Sequence, residues 1–209
     1  MAVANPTLAV ERELHASGAR YVIGCDEVGR GAIAGPVAVG VTLIDRGVAG
    51  IPAGLRDSKL LSEPRREALA PLAAAWALHS AVGLASAQEV DELGIMAALG
   101  LAGMRALHTV RSALGESVVL LDGSHDWLSP ALEPGVRVRA RPKADRDCGS
   151  VAAASVIAKV HRDALMIEAD AQHPVYGWRG NKGYGSAGHL AAIAEHGPSE
   201  LHRRTWLRG

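Results

Sequence analysis

The chain has 209 residues, 48% hydrophobic and 21% charged, with 22 Lys and Arg balanced by 22 Asp and Glu. That length builds one full-sized domain with little room for a second, and formal neutrality excludes a simple polybasic nucleic-acid binder. No run approaches the about 18 apolar residues of a membrane span, and the first 14 residues lack an apolar signal core and carry Glu11, Arg12 and Glu13, so the expected location is the cytoplasm, away from membranes.

Residues 1–18 read as a short helix or arm with apolar points at Leu8, Val10 and Leu14. Residues 21–26 form a β-branched, Gly-bounded strand. Val37, Val39, Val41 and Leu43 then alternate with Ala38, Gly40 and Thr42, a second strand of period two opened by Pro36. The Gly-rich connection is short enough to make these two antiparallel neighbours. Residues 51–61 read as a loop holding Asp57-Ser58-Lys59. Ser62 and Pro64 suit the start of a helix running to about Leu78, and residues 79–85 give a third strand. Ser86 and Glu89 have capping-box spacing and open a long helix to about Leu114, which Gly94, Gly100 and Gly103 should kink or split. Residues 117–121 are a dense apolar strand that delivers Asp122-Gly123, and residues 136–140 a fifth strand. Ser150 could cap an Ala-rich helix to about Ala169, whose small residues allow close approach to a sheet. Residues 172–188 read as a Gly, Pro and aromatic-rich loop, and residues 189–195 as a last helix. The pattern predicts an α/β domain over residues 1–209, a five-stranded mixed sheet covered by helices, with an arm at 1–18 and a helical, basic tail at 189–209.

With no Phe, the core must be aliphatic. Cys25 and Cys148 form no C-x-x-C pattern and read as free thiols of a reducing compartment. Residues 1–136 hold 10 basic against 15 acidic side chains, and residues 137–209 hold 12 against 7. Such a chain can bind metal at one end and phosphates at the other, although a solvated surface reaches the same asymmetry by chance.

The chemistry concentrates at Asp26-Glu27-Val28-Gly29-Arg30-Gly31. Adjacent carboxylates at a strand end invite a cation, and a Gly-Arg-Gly turn exposes backbone N–H groups beside a guanidinium. Because successive strand residues face opposite ways, a turn at Gly29 and Gly31 is expected to let both acids look into one crevice. Asp122 ends a buried strand, on the sheet edge where ligands collect, although Asp-Gly is also a common turn pair. Asp145, farther back in its loop than Asp147, is the freer of the two to reach a metal. Hard oxygen donors without His or Cys point to Mg2+ or Mn2+ and away from zinc. The nine His residues form no paired motif and are mostly expected at the surface. Gly29 to Ala34 formally fits a dinucleotide fingerprint, but a β-alternating run follows where a helix should begin, so that reading is rejected. Tyr184, between Gly183 and Gly185 and near Lys182, suits stacking on a base or sugar, or else tucks onto the core.

Together these motifs resemble the type 2 ribonucleases H, specifically bacterial ribonuclease HII, over nearly the whole chain: Asp26 to Gly31, Asp57-Ser58-Lys59, Leu121-Asp122-Gly123, Ala152 to Asp163, Asn181 to Gly185, and Gly197-Pro198 with His202-Arg203-Arg204. The resemblance implies a ribonuclease H-like fold, cleavage of the RNA strand of RNA–DNA hybrids, and incision 5′ of single ribonucleotides in duplex DNA to leave a 3′-hydroxyl and a 5′-phosphate. It assigns Asp26, Glu27, Asp122 and Asp145 as ligands of two divalent ions, Mn2+ or Mg2+, about 4 Å apart. It makes Gly29, Arg30 and Gly31 the sensor of the 2′-hydroxyl and Tyr184 the ring that stacks on the sugar, while Lys59, Lys182 and the basic half would contact phosphates. Ser186 replaces the usual Thr, and the tail reads Arg203-Arg204-Thr205-Trp206 rather than ending Ser-Phe. No Gln-rich, aromatic-ended clamp-binding peptide closes the chain, so no sliding-clamp partner is expected; the expected species is a monomer without an obligate protein partner. The alternatives are the sister ribonuclease HIII and a hybrid-binding protein without catalysis.

Overall fold

The β-branched run after residue 20 becomes the centre of a five-stranded sheet of order β3-β2-β1-β4-β5. The computed structural model describes residues 5–207; the ends of the expected arm and tail, residues 1–4 and 208–209, lie outside them. Strands β1 (Tyr21–Val28), β2 (Val37–Asp45) and β3 (His79–Ala85) form an antiparallel meander, and β4 (Ser117–Asp122) and β5 (Arg137–Arg141) add in parallel on the other side of β1. The expected α/β architecture with a mixed sheet is what forms.

The helices are α1 (Ala9–Ala16), α2 (Glu63–Trp76), α3 (Ala87–Leu93), α4 (Ile95–His108), α5 (Ala144–Asp147), α6 (Gly149–Gln172), α7 (Trp178–Asn181) and α8 (Ala187–His196). On one face, Ile23, Cys25, Val39, Val119 and Leu121 pack with Leu99, Ala102 and Leu107 of α4. On the other, Val22, Val118 and Leu120 pack against Val151 of α6 and Leu8 and Leu14 at α1. Among the described residues no helix is long and apolar enough to cross a membrane.

Several expectations shift. The long helix after Ser86 splits into α3 and α4 at Gly94, whose φ of 78° interrupts both; the Ser86–Glu89 capping box forms in full. Ser150 does not cap α6 from outside. It lies within the first turn, and the carboxylate of Glu11 on α1 accepts from its N–H at 2.9 Å and its hydroxyl at 2.8 Å. A negative group from a distant helix thus serves the exposed N–H groups and dipole of the α6 N-terminus. The expected loop 172–188 contains a short 3-10 turn and α7, with Tyr176 and Trp178 buried.

Candidate active site

Strand register brings the first two acids together. Cys25 of β1 pairs with Leu121 of β4 in parallel, so the residues that follow, Asp26 within β1 and Asp122 at the end of β4, lie side by side on neighbouring strands. The turn expected at Gly29 and Gly31 forms, but the strand does not end at Asp26 and the turn does not bring both acids to one face. β1 continues to Val28, with Asp26 opposite Gly40 and Glu27 opposite Val39, because main-chain pairing with β2 holds the strand straight through its acids. Asp26 therefore lies on the α6 face and Glu27 on the opposite face, with Cys25. One Glu27 oxygen is 3.6 Å from the Arg30 guanidinium. The other, Oε2, is buried without a hydrogen-bond partner.

Asp145 arrives on the short helix α5, not on the expected loop. Its N–H donates to Asp122 Oδ1 at 3.2 Å, and its Oδ2 accepts from Lys59 Nζ at 3.1 Å. The Asp57-Ser58-Lys59 motif has three separable parts. Asp57 accepts from the Lys59 N–H at 2.9 Å and shapes the turn, Ser58 receives a hydrogen bond from Ser155 of α6 at 2.9 Å, and Lys59 extends its ammonium to the acids.

The charges are poorly compensated. Burial pushes the Asp26 pKa well above the usual carboxylate range, and the charges of Glu27 and Asp122 push it further, against smaller opposing effects of Ser155 and Lys59. Burial also raises Glu27, opposed by Arg30 and assisted by Asp122. Asp122 is raised by burial and then by the Asp145 charge. Burial would lower the pKa of Lys59, but Asp26 and Asp145 outweigh it and the ammonium is stabilised. Cys25, buried beside these acids, is held protonated by burial and by their charges. An orphaned carboxylate oxygen, mutually repelling acids and an all-oxygen donor set fit a divalent hard cation. Among the described residues no three His, Cys, Asp or Glu side chains converge as a metal cage.

On the substrate side, Gly29 differs from expectation. With φ at +80°, an added Cβ would lie 2.1 Å from Arg162 Nε, so Gly29 makes room for a buried arginine and not for a ligand. At Gly31 an added Cβ meets nothing within 4 Å, so that backbone is open to approach. Tyr184 is 37% exposed, with Lys159 Nζ 5.7 Å and Arg162 Cζ 5.5 Å from its ring centre. Lys182 is buried and bonds the Arg179 carbonyl and, at 3.2 Å, Glu63. It ties loops together, and the open Lys59 is better placed for a phosphate. Sequence reading missed Arg162 and Arg203, which it counted with the phosphate-binding basic half; both are fully buried. Both lie in segments that carry the family resemblance, Ala152 to Asp163 and His202-Arg203-Arg204, but nothing in those segments marks either side chain as buried. Of the nine His, His15, His189 and His202 are buried and the others are partly or fully exposed.

A family model described as Ribonuclease HII matches residues 23–208. A ribonuclease HII of Streptomyces avermitilis is 46% identical over 202 residues, covering 96% of this chain and 83% of that protein. Two archaeal structures superpose at 26% identity. One is ribonuclease H2 from Pyrococcus horikoshii, with a TM-score of 0.67 over 89% of this chain and 93% of that one. The other is the ribonuclease HII of Archaeoglobus fulgidus, solved as a complex with PCNA, with a TM-score of 0.70 over 88% and 94%.

Proposed function

This chain belongs to the ribonuclease HII family and is an endonucleolytic hydrolase; from that premise we propose that it cleaves the RNA strand of RNA–DNA hybrids and nicks duplex DNA 5′ of a single embedded ribonucleotide. The observation that carries this reading is that the β1–β4 register sets Asp26 beside Asp122, with Glu27 and Asp145 at hand and one ammonium among four acids. In this reading Asp26, Glu27, Asp122 and Asp145 hold two divalent cations, Mn2+ or Mg2+. When bound, such ions supply an activated water and neutralise charge on the phosphate and the leaving oxygen.

The chain's own residues bind and orient. Lys59, hydrogen-bonded to Asp145 and otherwise open to solvent, meets the backbone phosphate next to the acids. The Arg30–Gly31 turn contacts the ribose, whose 2′-hydroxyl is the handle that separates ribo from deoxyribo units. Tyr184 presents its half-open ring to the neighbouring sugar. The acting species is the monomer in the cytoplasm, with the duplex as its partner.

The test is a duplex carrying one ribonucleotide, incubated with Mn2+ or Mg2+ in turn. The expected product is a nick 5′ of the ribose with a 3′-hydroxyl and a 5′-phosphate. Bound but intact duplex with both metals would instead favour a hybrid-binding protein without catalysis.

A further inference from the structure

Arg162 and Arg203 use their guanidinium groups on backbone carbonyls. Arg162, on α6, donates to Pro36 O at 2.8 Å, Lys182 O at 2.9 Å and Ala34 O at 3.0 Å. Arg203, in the tail, donates to Gly29 O at 2.7 Å, Arg30 O at 3.0 Å and Gly35 O at 3.1 Å. A buried guanidinium is tolerated only when its donors find acceptors, and here nearly all the acceptors lie on one loop, residues 29–36. The five N–H groups of an arginine have a rigid planar arrangement, so the pair dictates which way these carbonyls point.

That fixes the amides as well. In a trans peptide the N–H points opposite to the C=O, and no described peptide bond is cis. Turning the carbonyls of Gly29 and Arg30 inward onto Arg203 therefore turns the N–H groups of Arg30 and Gly31 outward. The amides of residues 32–35 are engaged: Ala32 donates to Gly29 O, Ile33 and Ala34 to Gly183 O, and Gly35 to Leu201 O. Those of Arg30 and Gly31 have no acceptor among the described residues. They flank open space at Gly31, and the Arg30 side chain reaches back to Glu27 of the acid cluster.

We propose that Arg203, supported by Arg162, is a positioning residue that holds the Arg30 and Gly31 amides outward as a paired donor for the ribose hydroxyl beside the acids. The proposal rests on the ribonucleotide-nicking reading above. It places the specificity of the turn in a side chain some 170 residues away, which explains why a buried tail arginine serves a surface loop.

The experiment compares the wild type with Arg203→Lys, which keeps the charge and loses the fork, and with Gly31→Pro, which deletes one outward N–H at a negative-φ position with open space around it. Affinity for a one-ribonucleotide duplex and for the all-DNA duplex is measured by fluorescence anisotropy in metal-free buffer, with melting temperature as the check of folding. Both variants should lose about tenfold in ribo-over-deoxy preference, the scale of one hydrogen bond, with all-DNA affinity within about twofold of wild type. Preference retained in Gly31→Pro, or equal loss on both duplexes, overturns the proposal, and Gly31→Pro decides the matter if Arg203→Lys does not fold. Nicking by the wild type is assayed alongside. A wild type that leaves the ribonucleotide intact sinks the functional reading, whereas one that nicks but shows no binding preference sinks the amide assignment alone.

Discussion

Asp26 sits where its charge is unwelcome until a cation arrives. Its folded pKa is raised above the ordinary value of 3.8. Its contribution to stability is therefore complete below that value and is lost as pH rises through the raised one. Above the ordinary carboxylate range the metal-free site therefore opposes folding. Asp26→Asn should abolish nicking while leaving duplex binding in place, and it should raise the melting temperature of the metal-free protein by several degrees; ~1 kcal/mol corresponds to about 2–4 °C in a chain of this size. A lower melting temperature together with lost binding would make Asp26 a structural residue. Tyr184 makes the complementary case. Its ring is partly solvent-exposed beside Lys159 and Arg162 and belongs to none of the buried apolar clusters, so Tyr184→Ala leaves the core intact. Incision at a single ribonucleotide should fall by about tenfold or more, since base or sugar stacking contributes ~1–3 kcal/mol, with a melting temperature close to wild type. Normal incision with a large thermal loss would mean that the ring packs rather than stacks.

At the scale of elements, helix α6 organises the site by coming closer to the sheet than ordinary side chains permit. A Cβ added at Gly24 would lie 2.2 Å from the Ser150 carbonyl carbon, and one at Gly40 would lie 2.5 Å from Ala154 O. Thr42 closes the same seam by donating to Ser150 O at 2.6 Å. Gly40→Ala should therefore cost about 1–3 kcal/mol of overpacking, read as a lower urea midpoint, and it should also slow nicking because Asp26 pairs with Gly40. An unchanged midpoint would show that the helix can retreat freely. Much of this was legible locally: the strand at 79–85, the capping box at Ser86 and the small residues of α6 are all patterns of neighbouring residues. What was hidden depends on distant partners. Nothing beside Asp26 and Glu27 reveals that pairing with Val39 and Gly40 carries β1 through both acids, nor that Glu11 serves the start of α6. The placement of Asp122 beside Asp26 was implied only by the family resemblance, because parallel register is set across the 88 residues between the strands.

At the scale of the whole molecule, two regions respond to acid in opposite directions. The carboxylates at the strand ends gain stability when protonated. The layer beneath the Tyr184 loop loses it. There Tyr176 stacks on Trp178 at 5.0 Å between ring centres, and His202 meets the Tyr176 ring edge-on at 4.6 Å. The hydrogen bonds settle the tautomers. His202 Nδ1 accepts from the Ser199 N–H, so its Nε2 carries the proton and donates to His189 Nε2, which also accepts from Trp178. His189 must then hold its proton on Nδ1, where it donates to Tyr184 O at 2.9 Å. Both rings are neutral in this chain, and a proton on His189 Nε2 would face two donors. Burial, then the neighbouring His189, pushes His202 down to about 4, and burial lowers His189. Since the folded values lie below the unfolded 6.5, this stability is present above pH 6.5 and is lost as pH falls towards 4. His202→Phe keeps the aromatic packing and cannot be protonated, and Trp178 still donates to His189. The variant should be less stable than wild type at pH 7.5, because Ser199 loses its acceptor. The difference between the two melting curves should shrink as pH drops from 6.5 to 4, the carboxylate contributions cancelling in the subtraction. Curves that stay parallel would place the acid sensitivity outside this layer and leave the Tyr184 carbonyl contact without a pH-dependent role.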